Sequence, residues 1–174
     1  VVGDSAIAFF RELRKAGISP DDIPVVMFAI AEDELRATDH TDMVGHYAAW
    51  NYFQSIDTDV NRKFVAAFKK RYGADRVTSD VIAAAYNSVY LWANAVRESG
   101  NTDVQQVRNA LRQQSLNAPE GIIAVDPSTQ HTWRPVYIAK IEETGQFEIV
   151  WNSNGSVRPV PYPITRSKAD WDTF

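Results

Sequence analysis

The stretch that decides the fold is VGHYAAWNYFQSIDT, which runs from Val44 to Thr58. It begins as an apolar, β-prone run and ends in Ser55, Asp57 and Thr58, any of which can cap a following helix. The residues before it are patterned as helix, strand, short helix and strand, and those after it as three successive helices. We therefore interpret the stretch as a strand that leaves one structural unit and crosses into another.

Length and composition exclude several classes of protein. The chain has 174 residues, 45% of them apolar, and a formal net charge of −4, which argues against a nucleic-acid partner. No apolar run approaches the roughly 20 residues that span a bilayer. The absence of cysteine excludes disulfides, thiolate metal ligands and cysteine nucleophiles. Val1 to Asp4 is patterned as the tail of a strand rather than as a signal peptide, so we expect the chain to begin within a fold.

The first third of the chain is patterned as alternating helices and strands. Asp4 or Ser5 begins a predicted helix that Gly17 ends. The continuous apolar run from Val25 to Ile30 is typical of a strand covered on both faces. A short helix opens with Glu32-Asp33-Glu34, and the strand around Tyr47 follows. This order predicts a parallel sheet with right-handed crossovers.

The remainder is predicted to contain three helices, a strand, a β-hairpin and an extended tail. The helices end near Tyr72, Gly100 and Gln114, and the third is expected to begin with a capping box formed by Thr102 and Gln105. The strand is Gly121 to Val125, the hairpin joins Pro135–Ile141 to Gln146–Trp151, and the tail starts at Asn152.

Gly3-Asp4-Ser5 lies where a predicted strand becomes a helix, and three interpretations remain open. Asp4 and the free N–H groups of the helix could form a polar ligand site, because open α/β sheets bind ligands at that edge. Ser5 could be the nucleophile of a GDS-type hydrolase, which needs a histidine base within reach. Such hydrolases usually place Asp and His three residues apart near the C-terminus, whereas His131 has Ser128 at that spacing. Finally, Asp4 could simply cap the helix.

The other polar and aromatic candidates have ordinary structural interpretations. The histidines His40, His46 and His131 lack metal-ligand spacing, and His46 is expected to be hydrogen-bonded within a strand. Trp50, Tyr52 and Phe53 are expected in the core, as are Tyr86 and Tyr90. Glu32 follows a buried strand directly, which makes it either a solvated helix start or a site residue. The residues alone favour a non-enzymatic small-molecule site with no catalytic residue, metal or cofactor.

Several stretches together resemble the C-terminal half of type I periplasmic binding proteins. The resemblance runs in order over nearly the whole chain, and AWNYFQSIDT after FAIAEDEL is its most specific part. The similar group comprises the urea and short-chain-amide receptors of ABC transporters and the cytoplasmic amide-sensing regulator of aliphatic amidase. The stretches are GDSAIAFFRELRKAGI (3–18), IPVVMFAIAEDEL (23–35), VGHYAAWNYFQSIDT (44–58), TDVQQVRNAL (102–111) with APEG (118–121), QFEIVWNS (146–153) and the ending VRPVPYP (157–163) with DW (170–171).

This resemblance implies an α/β fold with two Rossmann-like lobes and a ligand trapped between them. The chain would hold an incomplete two-lobe fold, a parallel sheet with flanking helices plus the C-terminal β-hairpin. The implied division is 1–51 in the second lobe, 52–58 as a hinge crossing, 59–117 as helices of the first lobe, 118–126 as a second crossing strand, and 127–174 returning to the second lobe.

The resemblance also implies the site residues. Ligand contacts in the family come from the segments matching Val2, Gly3 and Asp4 and the loop with Ala29, Ile30 and Glu32. We further expect Asp4 and Glu32 to face one opening. The hinge residues would be Tyr52, Phe53, Ser55 and Asp57, in a segment with few contacts to either flank.

The implied function is the substrate-binding component of an ABC transporter for urea, short-chain amides or similar small polar solutes. Its partners would be that solute, an ABC permease in the membrane, and the missing N-terminal half or a second copy of the chain. The location would be periplasmic or lipid-anchored and extracytoplasmic. Urea-type members often carry serine where this chain has Ala29, which weakens urea relative to another small amide or an amino-acid-like solute. The alternative is a cytoplasmic amide-sensing regulator that binds a protein partner.

Overall fold

The structure is a computed structural model that describes residues 3–173, and it combines helices with two β-sheets. The helices are α1 (Asp4–Lys15), α2 (Glu32–Ala37), α3 (Asp59–Tyr72), α4 (Asp80–Ser99), α5 (Val104–Leu111) and α6 (Lys168–Trp171). The strands are β1 (Val26–Met27), β2 (Tyr47–Trp50), β3 (Ser115–Ala118), β4 (Gly121–Val125), β5 (Thr132–Trp133), β6 (Tyr137–Ile141) and β7 (Phe147–Asn152). The predicted α/β class is confirmed.

The larger sheet has four strands in the order β1-β2-β6-β7 and is mixed rather than parallel. Among the strands of residues 3–173, only β1 and β2 run parallel, whereas β6 pairs antiparallel with both β2 and β7. The predicted hairpin therefore joins the sheet directly, with Ala48 opposite Ala139. A hairpin requires antiparallel strands, so its insertion beside β2 limits the parallel arrangement to one pair among the described strands.

Strand β1 is shorter and more exposed than the apolar run from Val25 to Ile30 predicted. It is two residues long and forms one edge of the sheet within residues 3–173. Phe28 is 72% exposed and Val26 is also exposed, whereas Met27 is buried. The expectation of a strand covered on both faces is wrong for the described chain, because only one face has a packing partner.

The smaller sheet has the order β3-β4-β5, and the sequence predicted only β4. Strand β3 pairs with β4 through the tight turn at Pro119 and Glu120. Its Ser115 and Asn117 are exposed and only Ala118 is buried, so four residues gave too weak an alternating pattern to mark a strand.

The apolar core has two main parts. The first lies between α1, α2 and the four-stranded sheet, and the second packs Tyr52 and Phe64 against Ala83 of α4. The sheet residues Tyr137 and Ile149 contact both parts. The largest members of the first part are Phe10, Leu35, Phe53, Ile141 and Phe147. The division of the chain into two lobes stays a prediction.

Helix α4 has one buried face and one exposed apolar face. Ala83, Leu91 and Ala95 are buried at i, i+8 and i+12, on one side of the helix. On the other side Val89 is 63% and Trp92 52% exposed. None of the helices within residues 3–173 combines the length and apolarity that crossing a bilayer requires.

The helix starts are fixed by caps that were partly predicted. Thr58 caps α3 by accepting the N–H of Asn61. The cap of α5 is Asp103, which accepts the N–H of Gln106, so the predicted box of Thr102 with Gln105 is displaced by one residue. The tail beyond Asn152 is largely exposed and irregular as expected, although it ends in the short helix α6.

Candidate ligand-binding edge and chain crossing

Three of the predicted ligand residues lie together at the start of α1. Gly3, Asp4 and Ile30 line a cavity of about 60 Å³, which is space for only a few water molecules. Glu34 lines the same cavity, and its carboxylate accepts the backbone N–H of Ala31 at 2.9 Å. Gly3 has a φ of 57°, a conformation that favours glycine and turns the chain into the helix. Val2 lies outside the described residues.

The loop after β1 is held against β2. The indole N–H of Trp50 donates to the carbonyl of Ile30 at 2.7 Å. Ala29 is half-buried beside Ile30. We call Gly3, Asp4, Ala29 and Ile30 the candidate ligand edge.

Glu32 lies in a different environment from the exposed Asp4. Its side chain is fully buried, Oε1 accepts the backbone N–H of Gln54 at 2.6 Å, and Oε2 has no hydrogen-bond partner among residues 3–173. Burial raises the pKa of Glu32 to about 8, and the carboxylates of Asp33 and Asp80 act in the same direction. The expectation that Asp4 and Glu32 face one opening is wrong, because the crossing segment covers Glu32. Its contact with a ligand stays a prediction.

Gln54 is the centre of the contacts that cover Glu32, and the sequence did not single it out. Its side-chain carbonyl accepts the N–H of Thr78 at 2.9 Å, and its amide nitrogen donates to Gln146 at 2.9 Å. Its backbone carbonyl accepts from Asn61 at 2.9 Å. One residue therefore connects α2 and α3 with the segments that directly precede α4 and β7. Its only signal in the sequence was a long amide that directly follows the aromatic pair Tyr52-Phe53.

Tyr52 forms a second buried polar contact in the same segment. Its hydroxyl donates to Asn61 Oδ1 at 2.8 Å and lies 2.7 Å from Thr78 Oγ1. Asn61 in turn donates to the carbonyl of Ile56 at 2.7 Å. Burial raises the pKa of Tyr52 well above its ordinary value, so the hydroxyl stays protonated and available as a donor.

The crossing segment, residues 52–58, is thus more firmly held than predicted. Tyr52 and Phe53 are fully buried, and only Ser55 and Asp57 of the proposed hinge residues are exposed. Asp57 pairs with Arg62 on α3. The expectation of few contacts to either flank is wrong, because the segment's own polar groups need partners once they are buried. Its action as a hinge stays a prediction.

A buried charge cluster lies beside the second predicted crossing. Arg134 contacts Asp80 Oδ1 at 2.8 Å and Glu120 Oε1 at 2.7 Å. Glu120 also accepts two hydrogen bonds from Asn87 at 2.8 and 3.0 Å. Burial raises the pKa of Asp80, and the guanidinium of Arg134 opposes that shift. The cluster ties α4 to the β3–β4 turn, and sequence reasoning did not find it.

The histidines do not support the hydrolase alternative. His46 Nδ1 accepts the backbone N–H of Val25 at 3.1 Å, which confirms its predicted structural role. His131 contacts the carbonyl of Thr129, and His40 those of Leu35 and Glu143. None of them hydrogen-bonds Ser5, so the pair that such an enzyme requires is not formed among the described residues.

The model of the family described as periplasmic binding protein domain matches residues 1–168. The solute-binding protein of an ABC transporter from Rhodopseudomonas palustris BisB5, crystallised with 3,4-dihydroxybenzoic acid, superposes with a TM-score of 0.74 at 22% identity over 87% of this chain. An amino acid ABC transporter substrate-binding protein from Pseudomonas fluorescens Pf-5 gives 0.77 at 17% identity over 91%.

The chain spans only part of its relatives. It covers 43% of each of those two solved chains. A protein named limonene hydroxylase from Geobacillus stearothermophilus is 38% identical over 117 residues, which is 67% of this chain but 21% of that protein. Because the family match extends over nearly the whole sequence and the fold agrees with it, this chain belongs to the periplasmic binding protein domain family.

Proposed function

We propose that the protein containing this chain is the solute-binding component of an ABC transporter. The observation that carries the proposal is the candidate ligand edge, which the buried crossing segment joins to α3 and α4. In an α/β architecture, ligands bind where the strands end. The two solved chains named above, one bound to an aromatic acid and one named for amino acids, support a small-solute role.

The proposed solute is a small polar molecule such as a short-chain amide, urea or an amino-acid-like compound. The cavity beside Asp4 is about 60 Å³, far below the 300–1,000 Å³ of typical ligand pockets, so this edge would form only part of a site. Groups from the other lobe would complete it. Ala29 stands where urea-type members often carry serine, which favours another small amide over urea.

We propose that the protein acts outside the cytoplasm, with an ABC permease as its membrane partner. We also propose that it has no catalytic activity. The described residues offer no hydrogen-bonded nucleophile and base at the candidate ligand edge. The name limonene hydroxylase belongs to a relative of which this chain covers 21%, and it gives no residue of this chain a catalytic role.

The test is ligand binding by the full-length protein. Thermal-shift screening against urea, acetamide, amino acids and benzoate should find a stabilising solute, since ligand at 100 times its Kd adds about 2.7 kcal/mol. Asp4→Ala should then weaken binding by about 1–3 kcal/mol, the cost of leaving a buried polar partner unpaired.

The matched control is Asp21→Ala, an exposed aspartate in the loop that follows α1 at the other end of the sheet. It should leave solute affinity unchanged. Equal affinity for Asp4→Ala and Asp21→Ala would leave Asp4 as the first residue of a helix and remove it from the site. A full-length protein that no solute in the screen stabilises would contradict the proposed solute class.

A further inference from the structure

Three connections join the four-stranded sheet to the elements from α3 to β5 within residues 3–173. They are residues 51–58 after β2, residues 134–136 between β5 and β6, and residues 153–157 after β7. The third connection reaches the smaller sheet, because the Ser156 hydroxyl donates to the carbonyl of Ile122 in β4. The connections are far apart along the chain, so only tertiary contacts can hold them in a common arrangement.

The three connections meet at Arg134 and Pro135. The side-chain amide of Asn51, in the first connection, donates to the carbonyl of Pro135 at 2.7 Å. The backbone N–H of Val157, in the third connection, donates to the carbonyl of Arg134 at 2.8 Å. Both acceptors belong to the second connection. The first or the third connection therefore cannot move against the second without the loss of a hydrogen bond.

The side chain of Arg134 fixes this meeting point to two further elements. Its guanidinium lies 2.8 Å from Asp80 Oδ1 at the start of α4 and 2.7 Å from Glu120 Oε1 in the β3–β4 turn. The Arg134 side chain is 14% exposed, and that of Glu120 is fully buried. Tyr137, which directly follows the second connection, donates its hydroxyl to the carbonyl of Glu120 at 2.7 Å. Arg134 therefore anchors the connections to α4 and to the smaller sheet.

The buried charges of Arg134, Asp80 and Glu120 are a poor source of stability. Each charge loses its water on burial, and well-packed apolar groups in place of such ions often stabilise a protein equally or better. Buried ions can instead select one arrangement of the chain. A guanidinium suits this role because its planar N–H groups pair with carboxylates only in fixed directions. Arg134 therefore pairs with both carboxylates only while α4, the β3–β4 turn and the second connection keep their relative positions.

We propose that Arg134 is a positioning residue for solute binding, a role that rests on the proposed function. It holds the three connections in the arrangement that presents the candidate ligand edge to the solute. The cavity at that edge is lined by residues between Gly3 and Met43, so Arg134 acts there through the connections and not by contact. Without Arg134 the connections adopt several arrangements, and the apparent Kd rises because only a fraction of the molecules is competent to bind.

The test is a triple variant of the full-length protein, Asp80→Asn with Glu120→Gln and Arg134→Met. It withdraws the three charges together, so no buried charge is left without its partner, and the stability to urea should stay close to that of the parent. Acetamide, a short-chain amide of the proposed solute class, should nevertheless bind about tenfold more weakly. A loss of affinity without a loss of stability separates positioning from a purely structural role.

Amide hydrogen exchange measures the loosening without any solute. Gln54, Val136 and Val157 each donate a backbone N–H to a hydrogen bond, one in each connection. All three should exchange about tenfold faster in the triple variant. The N–H of Tyr47, which donates to the carbonyl of Val25 inside the four-stranded sheet, should exchange as in the parent.

Two further variants provide a second test and a control. Asn51→Ala removes the contact to Pro135 and leaves every buried charge paired, and it should speed exchange at Gln54 and weaken acetamide binding. Arg14→Met with Asp42→Asn removes an arginine–aspartate pair that joins α1 to the α2–β2 loop, and it should change neither.

Parental exchange at Gln54 and Val157 in the triple variant would overturn the proposal, and so would parental affinity for acetamide. If the triple variant fails to fold, Asn51→Ala decides, and parental exchange and affinity in that variant would overturn the proposal. Failure of the parent to bind any solute of the thermal-shift screen would refute the proposed function. Exchange in the three connections would then still support or overturn the role of Arg134 in holding them.

Discussion

Glu32 is a carboxyl group without access to solvent, and within residues 3–173 one oxygen accepts the N–H of Gln54 while the other has no partner. Its pKa is about 8 in the folded chain against 4.5 for the free group. The folded state therefore binds more protons than the unfolded state between these values. By linkage, the free energy of unfolding falls as the pH rises from about 4.5 to about 8. Below about pH 4.5 this loss of stability is absent, because Glu32 is protonated in both states.

We predict that Glu32→Gln flattens this dependence. Glutamine keeps the acceptor for Gln54 and carries no charge at any pH, so the variant should gain stability relative to the parent at pH 8.5, by up to about 5 kcal/mol. Urea unfolding at pH 5, 7 and 8.5 measures it. Glu148→Gln, an exposed glutamate on β7, is the control and should keep the parent's slope. If the free energy of unfolding changed with pH equally in Glu32→Gln and in the parent, Glu32 would be ionised in the folded state.

The hydroxyl residues at the starts of α3 and α4 have different roles. Thr58 accepts the N–H of Asn61 at 3.1 Å and donates to the carbonyl of Pro119 at 3.3 Å. Ser79 stands at the same position before α4, but its hydroxyl is buried and caps nothing. The sequence alone gives both residues the same preference for the start of a helix.

Thr58→Ala should therefore cost about 1–2 kcal/mol of stability, since it removes a cap and a contact to the β3–β4 turn. Ser79→Ala should change stability by less than about 0.5 kcal/mol or raise it, because it removes a buried hydroxyl that has no partner. Urea unfolding of both variants of the full-length protein is the measurement. If Ser79→Ala lost as much stability as Thr58→Ala, the Ser79 hydroxyl would have a hydrogen-bond partner in solution.

The exposed face of α4 sets the expected behaviour of the whole molecule. The expectation that Tyr86 and Tyr90 lie in the core is wrong for the described chain, because both are exposed on a face of α4 that nothing covers within residues 3–173. Val89 is exposed on the same helix, whereas Phe64 of α3 is buried against Tyr52. Phe68 and Val96 are half-buried. Each large apolar side chain left in water forfeits roughly 1.5–3 kcal/mol, so the face is expected to pack against another surface.

We predict that this 174-residue chain, expressed alone, self-associates and that the remainder of the full-length protein prevents this. Light scattering with small-angle X-ray scattering should show species larger than a compact monomer, whose radius of gyration would be roughly 16 Å. Val89→Lys with Trp92→Lys should reduce the association of the isolated chain and destabilise the full-length protein. Ile164→Lys, in the tail at 97% exposure, should do neither. A stable compact monomer would mean that α4 needs no cover.

The sequence by itself determined the α/β class, the helices α3 to α5 and the hairpin of β6 and β7. It also indicated Thr58 as one of three candidate caps, of which the structure shows Thr58 in that role, and predicted His46 as a structural hydrogen-bonding residue. These features depend on residues close together in the chain, through periodicity, capping and turn chemistry. The sequence did not predict strand β3, because its four residues are too few to show such a pattern.

Only the tertiary structure decided that Glu32 is buried, that Gln54 covers it and that Arg134 pairs with Asp80 and Glu120. Gln54 lies 22 residues from Glu32 along the chain, and Arg134 lies 54 from Asp80. No local pattern distinguishes a carboxylate that meets solvent from one that meets a distant backbone N–H. Burial and partner choice are properties of the packed segments together, because a polar group adopts whichever partner remains once water is excluded.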